Sequence, residues 1–464
     1  MNNSSAGMRI KSLLDEGSFV EIGNLVTARN TDFNLQEKKA PSDGVITGYG
    51  TLNDRLVYIY SQDASILGGT MGEMHAKKIQ NLYVMAMKMG APIIGFIDCA
   101  GLRLQEAVDA LDAFGGLYLS QVKASGVIPQ ITAIFGTCGG GMAVVPALTD
   151  FTFMEANDAK LFVNAPHTLA DASYDESLAS AAYQNEVVGL VDGIGTQEEI
   201  LEKIAQLVEV LPSNNKETRE VDCEDDLNRK CDFENGMKDA HYALSVIADN
   251  KEFLELKADY AKDMVIGFMR VNGNTVGAVA NATDSISSKG CLKAAKFVKF
   301  CDAFNIPVLS LTDVKGYEAN KHQERKLAKA MAGLTKNFAS ATVPKVNVIV
   351  GSAWGSAGVI MNSKSIGADL VMAWSGADIG LMDATSAVKI IYADEIKESD
   401  HAKELIEKAV EEYKEAQSSA VAAAKRGYVD MIIEPEDTRK HVIAAFEMLY
   451  TKQVELLDKK HESV

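Results

Sequence analysis

The sequence predicts an α/β protein made by internal duplication, with two parallel-sheet halves in tandem. Three observations carry this. Segments recur at a constant spacing, short apolar runs alternate with helical patterns, and 464 residues exceed what one core ordinarily holds.

The recurrence is the strongest signal. Ala91-Pro92-Ile93-Ile94-Gly95-Phe96-Ile97-Asp98 returns as Ile306-Pro307-Val308-Leu309-Ser310-Leu311-Thr312-Asp313, an offset of 215. Gly101 matches Gly316 at that offset, and Val127–Ile131 matches Thr342–Val346. Gly136-Thr137-Cys138-Gly139-Gly140-Gly141 likewise faces Gly351-Ser352-Ala353-Trp354-Gly355-Ser356. Upstream, Gly48…Asp54 pairs with Gly267…Gly273 at 219. The expected organisation is an N-terminal helical segment (1–29), a first half (30–212), a linker (213–239), a second half (240–440) and a C-terminal helix (441–464).

Within each half the elements follow from local pattern. Leu56–Tyr60 is β-branched and aromatic, follows an Asn-Asp turn and reads as a strand. Residues 73–89 carry Met74, Ile79, Leu82, Tyr83, Met85 and Met89 at helical spacing, and Gly90 with Pro92 ends that helix. Ile93–Ile97 and Ile131–Phe135 are short apolar runs between Gly and Pro, as buried parallel strands are. Their alternation with helices predicts right-handed crossovers, with ligands beyond the strands' C-terminal ends. Thr196-Gln197-Glu198-Glu199 reads as a capping box. Ser213–Lys230 is dense in charge and reads as a solvated linker or loop. Residues 402–425 read as an amphipathic helix, with Leu405, Ile406, Ala409, Val410 and Tyr413 on one stripe.

Composition narrows the function. A net charge of −18 opposes nucleic-acid binding. No apolar run approaches the ~20 residues of a membrane span. The start MNNSSAGMRIKSLL lacks the apolar stretch of a signal peptide, which reads as cytoplasmic, with a peripheral place in a membrane complex left open. Six dispersed cysteines without C-x-x-C suit a reducing compartment and offer no zinc ribbon. Cys99 and Cys138 read as buried thiols rather than nucleophiles.

The glycine run Gly139–Gly141, directly after a buried strand, has two readings. One is a tight strand-to-helix turn. The other is an anion site, where absent Cβ atoms let a ligand reach converging main-chain N–H groups at a helix start. The repeat places Gly355-Ser356-Ala357 in the same situation, so the chain could carry two oxyanion holes. Other signatures are missing: there is no G-x-S-x-G and no H-E-x-x-H. His75 and His167 read as structural or surface residues. Gly68–Gly72 resembles a phosphate cradle only weakly. Lys77-Lys78 reads either as a solvated face or as a phosphate contact.

The segments Asp43–Gly50 (DGVITGYG), Gly72–Lys78 (GEMHAKK), Asp98–Glu106 (DCAGLRLQE), Ala124–Pro129 (ASGVIP) and Pro146–Met154 (PALTDFTFM) resemble the N-half of the acyl-CoA carboxylase carboxyltransferase family. Phe300–Ile306, Ala341–Pro344, Ser363–Asp369 and Arg426–Pro435 resemble its C-half. That family includes propionyl-CoA carboxylase β subunits and methylmalonyl-CoA decarboxylase α subunits. The resemblance implies two tandem crotonase-like (ClpP/crotonase) domains and a biotin-dependent transfer of a carboxyl group to or from the α-carbon of a short acyl-CoA. Propionyl-CoA and methylmalonyl-CoA are the expected pair. It implies biotin on a separate carrier protein or domain, acyl-CoA as substrate and no metal. It also implies a biotin carboxylase or membrane decarboxylase subunit as partner, and assembly as a homodimer or homohexamer.

Carried over by position, Gly140 and Gly141 would hold the thioester enolate, and Ser356 and Ala357 the biotin ureido oxygen. Around them the resemblance implies substrate contacts from Gly101, Arg103, Lys77, Lys78 and Met142, and from Gly316 and Asp383 on the second half. Three departures fall on the second half. The second turn reads Gly355-Ser356-Ala357 for the usual Gly-Gly-Ala, the loop after Asp313 is shortened, and Met382-Asp383-Ala384-Thr385 replaces Met-Gly-Ala-Glu. Two other readings compete: a biotin-independent hydratase, isomerase or decarboxylase of the same fold, with Glu106 as its base, and a non-catalytic scaffold subunit.

Ala86-Met87-Lys88-Met89 reproduces the tetrapeptide that carries biotin on carrier domains. Those lysines sit at hairpin tips, whereas Lys88 falls in the last turn of a helix and complements its dipole. Coexpression with a biotin ligase should therefore give no streptavidin signal. A band that vanishes in Lys88→Arg would contradict this register.

Overall fold

The computed structural model describes residues 4–29, 40–165, 168, 175–233 and 239–454. It divides the chain into two compact units, Met1–Glu217 with Lys257–Tyr260, and Thr218–Leu256 with Ala261–Val464.

The strands of the first unit are β1 (Val20–Ile22), β2 (Val45–Leu52), β3 (Arg55–Gln62), β4 (Thr70–Met71), β5 (Ile93–Cys99), β6 (Gly101–Leu102), β7 (Gln130–Gly139), β8 (Phe151–Glu155), β9 (Lys160–Phe162) and β10 (Gly193–Gly195). The second unit has β11 (Phe253–Leu256), β12 (Met264–Val271), β13 (Asn274–Asn281), β14 (Ser285–Ile286), β15 (Val308–Val314), β16 (Gly316–Tyr317), β17 (Lys345–Trp354), β18 (Leu370–Trp374), β19 (Asp378–Gly380) and β20 (Met431–Ile433). The main sheets run β1-β2-β3-β5-β7-β8-β10 and β11-β12-β13-β15-β17-β18-β20, the same order twice. β9 adds to β7 and β19 to β17.

The duplication extends to register. Ile93 pairs with Gln130 on β7, and Val308 with Lys345 on β17, both at the offset of 215. Thr70 pairs with Gly101, and Ser285 with Gly316. The Asn-Asp turn before β3 holds Asn53 and Asp54 at φ 53° and 61°, and its copy holds Asn272 and Gly273 at 50° and 75°. Two successive positive φ values give the hairpin twist that β2 and β3 require.

β5 and β7 are buried along most of their length, which explains why they read as continuous apolar runs. Helix Glu73–Met89 buries Ile79, Leu82, Tyr83 and Ala86 against Tyr58, Tyr60, Ile93 and Ile97 of the sheet. It ends at Gly90 with φ 63°, so Lys88 lies in its last turn. Thr196 and Glu199 form the predicted capping box. The charged segment after Ser213 holds no helix, and its later part bonds into the second unit, Val221 N–H to the Gly273 carbonyl and Cys231 N–H to that of Glu436. Residues 402–425 differ from expectation: they form two helices, Ala402–Tyr413 and Ala420–Lys425, joined by a π turn. The cause is Ser419, extended at φ −70°, ψ 153°, whose hydroxyl caps the second helix at Ala422 N–H.

Each central crossing is braced by an aspartate. The β5–β7 ladder shifts register between Ile97 and Cys99, and the β15–β17 ladder between Thr312 and Val314. At those shifts stand Asp98 and Asp313. Asp98 accepts from Thr137 N–H at 3.3 Å, and Asp313 from Ser352 N–H at 2.6 Å. Gly136 and Gly351 make room: a Cβ there would lie 2.1 and 2.3 Å from the respective carboxylate oxygens. Gly351→Ala should lower the unfolding free energy of the protein by about 1–3 kcal/mol, the usual cost of overpacking, read from urea midpoints. An unchanged midpoint would remove the close approach from consideration.

Candidate functional site

Beyond the brace, β7 ends at Gly139 and the chain turns. Gly140 adopts φ 63° and opens a short 3-10 turn, Gly140–Ala143, that leads into helix Val144–Leu148. A Cβ on Gly140 would meet nothing within 4 Å, so glycine is needed there for the left-handed backbone. The amides of Gly140 and Gly141 begin this turn, among the N–H groups that a helical turn leaves without an internal acceptor. Tyr118 donates its hydroxyl to the Gly141 carbonyl at 2.6 Å, which fixes the plane of that peptide.

The second unit repeats the device. β17 ends at Trp354, Gly355 adopts φ 55°, and helix Gly355–Ile360 begins. The duplication pairs Gly141 with Ser356 and Met142 with Ala357, so Gly141 and Ser356 are the equivalent amides. Met142 and Ala357 have buried side chains that pack the turns from below. Tyr317 donates its hydroxyl to Ser356 Oγ at 3.3 Å. A cavity of about 740 Å³ adjoins the turn, walled by Ile349, Ala353, Val359 and Ile379, with Arg426 and Tyr428 also lining it. Leu381 and Gly380 border it, and Asp383 caps the following helix by accepting from Ser386 N–H at 2.8 Å. That bond holds the Asp383 carboxyl below its ordinary range.

Of the remaining first-unit residues named from sequence, Arg103 and Lys78 are buried and Lys77 is exposed. Arg103 is 1% exposed and pairs with Asp43 at 2.6 Å and Glu106 at 2.7 Å. It also donates to the Thr70 carbonyl at 2.8 Å, tying β4 to the end of β6, whose first residue Gly101 sits at φ 120°. Glu106 accepts from Glu73 N–H at 2.6 Å. Lys78 is buried and donates to the carbonyls of Ser42 and Val45 and to the Ser42 hydroxyl. Burial pulls its pKa down to about 8. Lys77 is exposed and pairs with Glu73 one helical turn back. Gly316 lies on β16 with open space where a Cβ would point.

Sequence reading missed a relay that links Asp43 to the glycine turn. His75 N–H donates to Asp43 Oδ2, and its Nδ1 lies 2.8 Å from the Asp43 carbonyl. A carbonyl only accepts, so Nδ1 carries the proton and Nε2 accepts from Gln62 Nε2 at 3.1 Å. Gln62 Oε1 in turn accepts from Asp98 N–H at 3.1 Å. Asn281 holds Asp313 N–H in the same way at 2.9 Å. The signal was present: Asp98 and Asp313 stand at equivalent places in the repeat. His75 is structural, as its isolation in the sequence suggested, while His167 lies outside the described residues.

Cys99 and Cys138 face each other across the sheet, fully buried and unpaired. Burial pushes the Cys99 thiol up to about 11 and also raises that of Cys138 well above the ordinary thiol range, so neither supplies a thiolate. Among the described residues no group of three or more His, Cys, Asp and Glu could hold a metal ion, and no helix is long and apolar enough to cross a membrane.

Residues 2–464 match the carboxyl transferase domain family. Methylmalonyl-CoA decarboxylase subunit alpha of Propionigenium modestum is 39% identical over 481 residues, spanning 99% of this chain and 93% of that protein. The propionyl-CoA carboxylase beta chain of Roseobacter denitrificans is 38% identical over 492 residues, again spanning 99% and 93%. The crystal structure of transcarboxylase 12S, a hexamer with hydrolysed methylmalonyl-CoA bound, has a TM-score of 0.94 to this chain at 34% identity, covering 99% of this chain and 92% of that one.

The relay carries a pH signature. Burial and the nearby Arg103 charge lower the His75 pKa to about 3, against 6.5 when unfolded. A depressed pKa contributes stability above pH 6.5 that is lost as pH falls toward 3. The slope is ~1.4 kcal/mol per pH unit. Between pH 6.5 and 5, before most carboxylates titrate, His75→Gln should flatten the unfolding free energy by that slope. Parallel curves for the two proteins would show that His75 is not held neutral.

Proposed function

The chain belongs to the carboxyl transferase domain family, and from that membership we infer that it moves a carboxyl group between carrier-borne biotin and the α-carbon of a short acyl-CoA. Propionyl-CoA and methylmalonyl-CoA are the proposed pair, because relatives named for each span nearly the whole chain. The observation that carries the reading is the pair of equivalent glycine turns, one per unit, each ending a central strand where a helical turn begins. A transfer between two carbonyl compounds develops negative oxygen on both, and each well-placed donor contributes ~2.7–4 kcal/mol in the transition state.

In the first unit the Gly140 and Gly141 amides hold the thioester oxygen as it becomes an enolate. In the second, the Ser356 and Ala357 amides face the ureido oxygen. Biotin, when bound, supplies the ring nitrogen that carries the carboxyl group. The apolar walls beside Ser356 fit its fused rings, and the Ser356 hydroxyl, held by Tyr317, adds a polar edge. Exposed Lys77 is the better placed of the two lysines for a CoA phosphate, since the Lys78 ammonium already serves three oxygens. Gly101, Arg103 and Gly316 act by shaping the loops beside the turns, and Asp383 by ordering the far wall of the cavity.

Glu106 carries weight against the hydratase or isomerase alternative. Its carboxylate is buried on Arg103 and on Glu73 N–H, with no freedom to move a proton to or from substrate. The cavity beside Ser356 speaks against a scaffold that has lost its second site. Assembly as a hexamer with a biotin carrier and a biotin carboxylase or membrane decarboxylase subunit is proposed from the same relatives. The six unpaired cysteines support a place in the cytoplasm.

Purified protein with free biotin should decarboxylate methylmalonyl-CoA faster than without it; equal rates with and without biotin would overturn the reading. Gly141→Val should reduce kcat by about 10²-fold or more while circular dichroism stays unchanged. Full activity in that variant would remove the first oxyanion assignment.

A further inference from the structure

The duplication also shows where the halves differ in filling. Asp15 accepts from Asn53 and Asp54 N–H, both at 3.0 Å. Asp249 accepts from Asn272 and Gly273 N–H at 3.1 and 2.7 Å. These are the same hairpin bonds in the two units, so they fix the equivalence of the preceding helices, Ser5–Leu13 and Ala240–Ile247. Buried Ala6, Ile10 and Leu13 then match buried Ala240, Leu244 and Ile247. Arg9 matches Ala243.

In the first unit Arg9 fills the space behind the brace. Its guanidinium lies 4.8 Å over the Phe135 ring and 4.0 Å from the Asp98 carboxylate. Phe96 packs edge-on against Phe135 at 5.2 Å. The equivalents in the second unit are all smaller: Ala243 for Arg9, Leu311 for Phe96 and Val350 for Phe135. What remains is a cavity of about 300 Å³ lined by Ala243, Leu311, Val350, Asn281, Thr283 and Asp313, with Asp284 and Lys315 also on its wall. The carboxylate has been kept while the helix cation has gone, and Lys315, which is bonded to Asp284, also acts on Asp313 through its charge. Lys315 pairs with Asp284 at 2.8 Å, so the charges lining the cavity sum to one negative charge.

We propose that this cavity is a binding site for a small guanidinium compound, which would take the place that Arg9 holds beside Asp98 in the first unit. The apolar walls suit the flat faces of the ion, and Asp313 with the Thr283 hydroxyl offers acceptors at its edge. The net negative lining selects a cation over an anion. The site lies behind the β15–β17 brace, and the proposal does not depend on the reaction assigned above.

Methylguanidinium chloride is the probe, titrated into the full-length protein against sodium chloride of equal ionic strength. Calorimetry should show saturable binding, and the melting temperature should rise with it. Ala243→Arg restores the first-unit arrangement; it should melt higher without ligand and lose the response. Ala243→Met and Val350→Phe fill the same space without charge and should weaken binding by about tenfold or more; they keep the test decisive if the arginine variant fails to fold. No saturable heat in the wild type would overturn the proposal, as would an undiminished response in both neutral variants.

Discussion

Both units depend on a carboxylate set into a strand shift. Parallel ladders cannot change register without leaving main-chain groups unpaired, and unpaired buried amides are costly. Asp98 and Asp313 resolve this by taking the amides of Thr137 and Ser352 onto a side chain. The shift lets β7 and β17 run on past their neighbours and release the chain at Gly140 and Gly355. Gly136 and Gly351 follow from the same constraint, since the carboxylate occupies the volume of a Cβ. The glycine turns are therefore consequences of the brace as much as features of the site.

The two copies support that brace with different chemistry. Helix Glu73–Met89 starts on a Glu106 carboxylate that Arg103 neutralises. Helix Ser288–Ala303 starts on the neutral Gln323 amide, which accepts from Ser288 N–H at 2.8 Å. A buried ion triad fixes geometry strictly but costs desolvation; an amide does the same task at lower electrostatic cost. Asp43 in the first unit and Asp263 in the second both hold the start of the following helix, Asp43 through His75 N–H and Asp263 through Ser287 N–H. The first unit thus concentrates fixed charge beside its turn, while the second leaves its turn beside a largely apolar cavity.

The legible parts of the site were those written in the main chain. Gly140 and Gly355 announced themselves because glycine after a buried strand has few reasons to exist, and the repeat supplied the second instance. Lys77 and Lys78 were not separable in the sequence. They are adjacent, so they point to different sides of one helix, and only packing shows that Lys78 turns inward onto Ser42 and Val45. The resemblance implied Arg103 as a substrate contact, and the biotin-independent alternative took Glu106 as its base; in the fold each satisfies the other. The break at Ser419 also escaped the periodicity, because the π turn Lys414–Ser418 keeps the chain helical up to the residue that breaks it.

By itself the sequence determined the duplication, the alternation of strands with helices, the ends of helix Glu73–Met89, and the two places where the chain turns on glycine after a buried strand. These are consequences of covalent geometry and short-range periodicity, which a chain carries in its order of residues. Tertiary structure alone decided which charges are buried in pairs and which half keeps a cavity behind its brace. Those outcomes depend on what residues distant in the chain leave of space and dielectric around one another, and no local pattern records that.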